Sequence, residues 1–182
     1  MIPKMTLFAV LFLAFTACKT TTPPQTITYD GATLTLPEGF KKSITDNTMS
    51  FEGIPALQDA YVKMDGSNTT TLKVIRFDVA HMATEDVDYV TELCLAQYRI
   101  FCAEGQGNDF KYSENSPLSI GGKKGVGFTY DDTSNKAYPF KGEMVAFHVN
   151  NKVVILHIGD FSTHFEQTKP NWEAIKNSVK LK

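Results

Sequence analysis

Histidine is the residue type in this chain best suited to metal binding or to proton transfer near neutral pH. His148 and His157 fall on the two strands of a predicted hairpin and share one face, but they lie roughly 13 Å apart along the strand direction. No His-x-x-x-His or Cys-x-x-Cys spacing is present. We therefore predict no metal site and no cofactor. The face that carries His148 and His157 is a possible ligand-binding face.

Asp160, Ser162 and His164 place an acid, a hydroxyl and an imidazole close together in the sequence. A catalytic triad also needs an oxyanion hole and a nucleophile turn such as G-x-S-x-G, and neither pattern is found. Thr163 and Glu166 fit a helix capping box instead. We predict no catalytic residues and no enzymatic activity.

Four glycines between positions 121 and 127 have the density of a phosphate-binding loop. Such a loop must open a helix, whereas Val126, Phe128 and Tyr130 alternate directly after it and predict a strand. The glycines therefore indicate a hairpin turn. Asp131 and Asp132 follow in a polar loop, where paired carboxylates are usually only solvated.

Tyr138, Pro139 and Phe140 are the best candidates for a partner-binding surface, because aromatic residues at a loop tip can anchor a partner. The same three residues can instead fold back onto the domain as a small aromatic cluster. The sequence leaves both interpretations open.

The N-terminus has the pattern of an export signal. Lys4 precedes an apolar run that ends at Phe15 and is far shorter than the ~20 residues of a spanning helix. Cys18 follows small residues and resembles the lipobox of bacterial lipoproteins, in which this cysteine is lipidated, although Phe15 replaces the usual leucine. Ordinary signal-peptidase cleavage is the alternative. Position 19 is a lysine and not an aspartate, which resembles the pattern of lipoproteins that move on to the outer membrane.

The composition is that of one folded domain. The chain has 182 residues, of which 42% are hydrophobic and 21% charged, and its net charge is -2. The chain has no surplus of basic side chains that could contact the phosphates of a nucleic acid, so we expect no nucleic-acid partner. We predict a signal peptide over 1–17, a lipidated cysteine and flexible tether over 18–25, and a single domain over 26–182.

The hydrophobic patterns predict strands at 32–36, 49–52, 60–64, 70–79, 110–120, 126–130, 143–149 and 152–158. If Asn150 and Asn151 form a two-residue loop, Val149 pairs with Lys152, and one face of the last hairpin is entirely apolar and must be covered. Pro170 is predicted to start a final helix that carries Trp172. The fold class is α+β with a mainly antiparallel sheet.

The clearest helix is predicted from Thr84, as N-cap, to about Cys102. Its apolar stripe consists of residues at helical spacing, namely Val87, Val90, Cys94, Tyr98 and Phe101. In one continuous helix Cys94 and Cys102 are about 12 Å apart, which is too far for a disulfide. A helix that ended before Arg99 would allow the bond.

Three segments resemble the superfamily of PsbP, the extrinsic subunit of photosystem II, which includes the nuclear import factor Mog and bacterial periplasmic proteins. They are TYDGATLTLPEGF at 28–40, GGKKGVGFTY at 121–130 and KVVILHIGDF at 152–161, followed by the terminal NWEAIKNSVKLK at 171–182. The resemblance implies an αβα sandwich with a central antiparallel sheet flanked by helices. It also implies protein binding or support of an assembly, with no shared active site.

We therefore expect a lipid-anchored protein of the bacterial cell envelope, in the outer membrane and facing the periplasm, that is not an enzyme. It would bind a protein partner or support an assembly. A small-ligand-binding lipoprotein with a pocket around His148 and His157, and an immunity or chaperone lipoprotein that caps a toxin, are the alternatives. A pocket with apolar walls and a few polar groups favours the ligand carrier, and an aromatic patch favours protein binding.

Overall fold

The computed structural model describes residues 22–66, 68–104 and 109–182, so the predicted signal peptide and Cys18 lie outside the described residues. The elements follow one another in this order: β1 Gln25–Tyr29, β2 Ala32–Leu36, β3 Lys41–Phe51, β4 Ile54–Asp65, β5 Asn68–Asp78, a 3-10 turn Ala80–Met82, α1 Val87–Glu104, β6 Phe110–Tyr112, β7 Ser116–Ile120, β8 Lys123–Asp132, β9 Phe140–Val149, β10 Lys152–Phe161, α2 Phe165–Asn177 and β11 Lys180–Leu181.

Eight strands form one antiparallel sheet in the order β3-β4-β5-β10-β9-β8-β6, and β7 also pairs with β8. A second, three-stranded sheet has the order β1-β2-β11. The last hairpin has the predicted register, because Val149 pairs with Lys152. Asn150, in its turn, has a positive φ of 52°, which asparagine tolerates better than most residues.

The large sheet carries an apolar core on each face. On one face α1 covers a cluster around Ile75, Met144 and Ile155. On the other face, Phe147 and Leu156 pack against Trp172 of α2 and against the three-stranded sheet. The α+β class and the antiparallel sheet are confirmed. One face of the large sheet is covered by α1, and the other face is covered by α2 together with the small sheet.

Helix α1 differs from the prediction at both ends of its stripe. It begins at Val87, and the carboxylate of Asp86, not Thr84, accepts a hydrogen bond from the Tyr89 amide at 3.0 Å, as an N-cap does. Val90, Cys94 and Tyr98 are buried as predicted. Val87 and Phe101 are 50% and 49% exposed, so their predicted burial is wrong. Both lie in terminal turns, where α1 extends past the close-packed core.

Cys94 and Cys102 lie on one continuous helix, as predicted. Cys94 is buried against the sheet, whereas Cys102 is only partly buried. Burial raises the pKa of the Cys94 thiol to about 12, so Cys94 is a small apolar side chain of the core.

Helix α2 starts five residues earlier than predicted. It begins at Phe165, and Pro170 lies inside it, where the proline ring removes one backbone hydrogen bond. The side chain of Phe165 is partly buried and packs against the core. His164 caps the helix without a side-chain hydrogen bond, so the predicted capping box is wrong. Val179 is buried, but it lies beyond the end of the helix.

Two predicted strands are present with different bounds. The predicted strand at 49–52 is the last part of β3, an edge strand of 11 residues with mostly exposed side chains. Such a strand has no apolar alternation to reveal it, because its pairing with β4 alone holds it in the sheet. The predicted strand 110–120 is two strands, β6 and β7, which pair with opposite halves of β8.

Part of the predicted tether lies close to the domain. The carbonyl of Thr22 accepts a hydrogen bond from the Gly39 amide at 2.7 Å, and Gln25 is the first residue of β1. Within the described part of the chain, no helix combines the length and the apolar character needed to cross a bilayer.

Candidate binding cleft and aromatic cluster

A cleft of about 670 Å³ opens on the α1 face of the large sheet, beside the C-terminal turn of α1. Its aromatic walls are Phe101 of α1, Phe110 of β6 and Phe140 of β9. Phe101 is held in place by ring contacts with Phe51 at 5.3 Å and Tyr98 at 6.2 Å between centroids. Its half-exposed ring thus forms part of the cleft wall, which is why it is not buried in the core.

Two glycines on neighbouring strands lie against the side chain of Tyr130, which lines this cleft. Gly142 of β9 pairs with Gly159 of β10, and Tyr130 of β8 is the next residue in the same row. A Cβ atom on Gly142 would overlap the Ile158 carbonyl oxygen and the Tyr130 ring. A Cβ atom on Gly159 would lie 2.5 Å from the Tyr130 hydroxyl. Glycine is therefore required at both positions for the Tyr130 side chain to lie across the strands.

His157 lies buried at the floor of the cleft between two tyrosines. Its Nδ1 is 2.8 Å from the hydroxyl of Tyr98, and its Nε2 is 2.8 Å from the hydroxyl of Tyr130. Tyr130 donates its proton to the Ile158 carbonyl at 3.4 Å. The Tyr130 oxygen then accepts from Nε2–H of His157, and Nδ1 accepts from Tyr98. This pattern assigns the tautomer of His157 that is protonated at Nε2.

The imidazole stays neutral in this setting. Burial lowers the pKa of His157 well below 6.5, and the nearby Lys73 ammonium lowers it further. Burial also raises the pKa of both tyrosines above 10. The pKa of the Cys102 thiol, in the cleft wall, rises to about 11, chiefly because the thiol is buried. The histidine and the thiol therefore form a neutral, hydrogen-bonded lining at physiological pH.

The charged side chains of the cleft are one lysine and two acids. Lys73 of β5 pairs directly with His157 across the strands and lies on the same face. Asp132, at the end of β8, accepts hydrogen bonds from the amide and the hydroxyl of Ser134 at 3.0 and 2.6 Å. Glu104, in the last turn of α1, is exposed. The lysine thus lies by the histidine, and the acids lie toward the mouth.

An aromatic cluster adjoins the cleft and shares Phe140 with it. The Phe161 ring lies 4.8 Å from the Phe140 ring and 5.7 Å from the Tyr138 ring, measured between centroids. The Ser162 amide donates to the Pro139 carbonyl at 2.8 Å and ties the loop to the end of β10. Tyr138 remains 62% exposed. The structure thus combines the two interpretations of this loop: the rings pack together, and one of them still faces solvent.

The fold is similar to those of known proteins. CyanoP, the PsbP protein of the cyanobacterium Synechocystis, superposes with a TM-score of 0.63 and 8% identity, over 88% of this chain and 94% of that chain. The Ran-binding protein Mog1p of Saccharomyces cerevisiae superposes with a TM-score of 0.55 and 8% identity, over 88% and 96%. This chain has the PsbP/Mog1p-like fold. The resemblance noted in the sequence is confirmed at the level of the fold.

A lower-scoring match is LpqN, a Mycobacterium tuberculosis protein described as involved in cell envelope biogenesis, with a TM-score of 0.44 and 13% identity over 87% of this chain and 82% of that chain. No family model matches the sequence, and no curated protein matches it either. The fold assignment therefore rests on the two structural matches above.

The PsbP/Mog1p-like fold places the two candidate histidines in different cavities. His157 lines the cleft, whereas His148 lines a hollow of about 150 Å³ near the other end of α1. His148 pairs with Val153, so His157 is four positions further along, as the sequence predicts. The two histidines share a sheet face but not a pocket, and only His157 belongs to the cleft.

The acid, hydroxyl and imidazole at 160–164 are separated in the fold. Asp160 is buried and accepts a hydrogen bond from Thr70 at 2.7 Å. His164 is hydrogen-bonded through Nδ1 to the neighbouring Thr163 at 2.9 Å. Asp160 and His164 are therefore hydrogen-bonded to threonines and not to each other. Among the described residues, no group of three or more His, Cys, Asp or Glu side chains is arranged to hold a metal ion.

The sequence analysis did not identify Lys73, Tyr98, Tyr130 or the two glycines as site residues. A signal for the glycines was present: the predicted pairing of Val149 with Lys152 already places Gly142 opposite Gly159. Two glycines facing each other within central strands indicate close approach of another group. The positions of Lys73 and Tyr98 depend on how β5 and α1 meet the hairpin, and the sequence holds no comparable signal for them.

Proposed function

We propose that this protein is a non-enzymatic binding domain of the bacterial cell envelope, anchored by a lipid on Cys18, and that it binds a protein partner through the aromatic cluster. The observation that carries the proposal is the exposed Tyr138 ring, packed against Phe161 and continuous with Phe140. Tyrosine and phenylalanine are enriched in protein interfaces, and a few buried aromatic anchors supply most of the binding free energy.

The cluster is also suited to binding by its shape and its fixed geometry. Tyr138, Pro139 and Phe161 line a hollow of about 240 Å³ together with Thr163 and His164. A hollow of this size can receive one large side chain of a partner. The ring contacts and the Ser162–Pro139 hydrogen bond hold the loop, so less conformational entropy is lost on binding.

The chemistry of the cleft supports a role without catalysis. Both ring nitrogens of His157 are occupied by tyrosine hydroxyls, so this imidazole has no free nitrogen to act as a general base. Cys102, with a pKa of about 11, is protonated at neutral pH and is a poor nucleophile. Mog1p, which has the same fold, is itself named as a Ran-binding protein, and this agrees with protein binding as a use of the fold.

Site-specific photo-crosslinking in intact cells tests the proposal. A photoreactive phenylalanine is placed at Tyr138 and, as a matched control, at Tyr89, an equally exposed tyrosine on α1. We expect one discrete protein adduct from position 138, and less than a tenth of that yield from position 89. Phe161→Ala, combined with the probe at 138, should reduce the yield several-fold because it removes the ring that supports Tyr138.

The anchor is tested in the same cells. Cys18→Ser should move the protein from the membrane fraction or leave its signal uncleaved, and mass spectrometry of the wild-type protein should detect an acylated Cys18. Equal adducts from positions 138 and 89, or none from either, would contradict the partner-binding surface. An unchanged membrane fraction for Cys18→Ser would contradict the lipid anchor.

A further inference from the structure

The cleft contains a half-buried cation without an ionic partner. Two other partly buried lysines are paired: Lys152 contacts Asp78 and Lys176 contacts Glu143, each at 2.7 Å. Lys63 of β4 is also partly buried and has no ion pair with any described residue, but it does not line the cleft. Lys73 forms no ion pair with any described residue, and the remaining residues of the chain include no aspartate or glutamate. Its ammonium therefore has hydrogen-bond donors available for a group from outside the chain.

The other polar groups at the floor of the cleft already have partners. His157 and Tyr130 bond to each other, and Thr71 donates to the Gly159 carbonyl at 3.3 Å. The walls above them are the phenylalanine rings of Phe101, Phe110 and Phe140. A volume of about 670 Å³ lies within the ~300–1,000 Å³ of small-molecule sites, which combine apolar walls with a few polar groups. This combination fits a ligand with an apolar body and one anionic group.

The acids at the mouth limit how much negative charge the ligand can carry. Asp132 is paired with Phe140 on the neighbouring strand, and His157 is paired with Lys73. Along the strands, these two pairs are four residues apart. Four residues of strand span roughly 13 Å. A carboxylate beside Lys73 is thus kept away from Asp132, whereas a second negative charge near the mouth would be repelled by Asp132 and by Glu104.

We propose that the cleft binds a small apolar monocarboxylate, with its carboxylate on the Lys73 ammonium and its apolar body between the phenylalanine rings. Binding of this ligand goes beyond the proposed protein partner, and the two sites share only the Phe140 ring. It depends on Lys73 and not on the exposed Tyr138, so the crosslinking experiment and the ligand experiment can fail independently.

The proposal is tested by nuclear magnetic resonance titration of the full chain without its lipid, which contains residues 22–182. Three matched probes are used. They are 3-phenylpropanoate, its neutral isostere 3-phenylpropanamide, and the dicarboxylate benzylsuccinate. Decanoate is added as an aliphatic monocarboxylate. The amide resonances of Gly142 and Gly159 report on binding through the Tyr130 ring of the cleft lining, which lies against both glycines. We expect saturable shifts of both glycines with a monocarboxylate, and at least tenfold weaker binding of the amide and of benzylsuccinate.

Lys73→Met keeps the length of the side chain and removes its charge, and Lys41→Met, on the exposed strand β3, is the matched control. Lys73→Met should weaken binding of the monocarboxylate at least tenfold, and Lys41→Met should leave it unchanged. The wild-type comparison of acid with amide needs no variant, so the proposal stays testable if Lys73→Met is poorly folded. No glycine shift with either monocarboxylate, or equal affinities for acid and amide, would overturn the proposal.

Discussion

Each face of the large sheet buries a polar cluster next to its apolar core, and these two clusters differ in charge. On the α2 face the side chain of Asp59 is 1% exposed, and it contacts Lys42 at 2.9 Å and Arg76 at 3.2 Å. It also accepts a hydrogen bond from the Asp46 amide at 3.0 Å. On the α1 face the cluster is His157 with its two tyrosines, and it is neutral.

The charged cluster connects parts of the fold. The Arg76 guanidinium lies 4.6 Å from the ring centre of Tyr29, which belongs to the small sheet, and Tyr29 is hydrogen-bonded to Tyr61 of the large sheet. Burial opposes ionisation of Asp59, but hydrogen bonds from Lys42, Asp46 and Tyr29 outweigh it, so the pKa of Asp59 is lowered below 3.8. Because each charge has a partner within the chain, this cluster is structural.

The neutral cluster borders the cleft, and its neighbour Lys73 has no such partner. The difference teaches that a buried polar group is not by itself evidence of a site. A cluster whose charges are paired internally, as Asp59 is with Lys42 and Arg76, holds the fold together. A cluster that leaves one cation unpaired next to a cavity is prepared for a ligand.

Removing the charge of the first cluster should have the largest effect on stability. Asp59→Ala leaves Arg76 and Lys42 without their buried partner, and we expect a loss of about 3–5 kcal/mol in the free energy of unfolding, measured with urea. Asp46→Asn is the control. Asp46 is 59% exposed, and asparagine tolerates its positive φ of 45°, so the loss should stay below about 1 kcal/mol. Similar losses for both variants would contradict the distinction.

The pH dependence of stability should separate the two clusters next. The pKa of His157 is well below 6.5 in the folded protein, since burial disfavours the imidazolium. As the pH falls below 6.5, the unfolded chain takes up a proton that the folded protein does not, and the folded protein loses stability. Well below the pKa of the unfolded chain, the slope of this loss approaches about 1.4 kcal/mol per pH unit for as long as the folded imidazole stays neutral.

Urea unfolding at pH 7, 6 and 5 checks this slope. His157→Gln should reduce it, whatever that change does to stability at pH 7. His148→Gln should reduce the slope less, because His148 is only partly buried. Its pKa is lowered by this partial burial and by Lys123. The lowered pKa of Asp59 means that the charged cluster keeps its contribution above pH 4 and loses it only at lower pH. An unchanged slope in His157→Gln would contradict the neutral state of the buried imidazole.

The smallest effect should come from removing one hydroxyl of the neutral cluster. Tyr130→Phe keeps the ring above the two glycines but leaves Nε2–H of His157 without an acceptor, which should cost about 1–2 kcal/mol. Tyr112→Phe, at a tyrosine that is 50% exposed, is the control and should change stability by less than about 0.5 kcal/mol. Equal stability of the two variants would mean that the hydroxyl of Tyr130 does not hold the histidine.

The last hairpin and the middle of α1 were the parts that the sequence predicted best. Alternating apolar residues on either side of Asn150 and Asn151 specify one register, because a slip by one residue would turn the apolar face toward solvent. Val90, Cys94 and Tyr98 recur at helical spacing for a similar reason. Polar edge strands such as β3 and the start of α2 were predicted poorly, since partners distant in sequence hold them in place.

The sequence by itself determined the α+β class, the antiparallel hairpin, the shared face of His148 and His157 and the resemblance to PsbP and Mog, because periodicity and turn residues act over short stretches of chain. The tertiary structure alone decided that His148 and His157 lie in separate cavities, that Phe101 lines a cleft, and that Lys73 has no ionic partner. These features depend on how α1 crosses the sheet and on which strand lies beside which. Contacts of that kind join residues that are far apart in the sequence, such as Lys73 and His157 or Thr33 and Lys180, and leave no pattern in the local sequence.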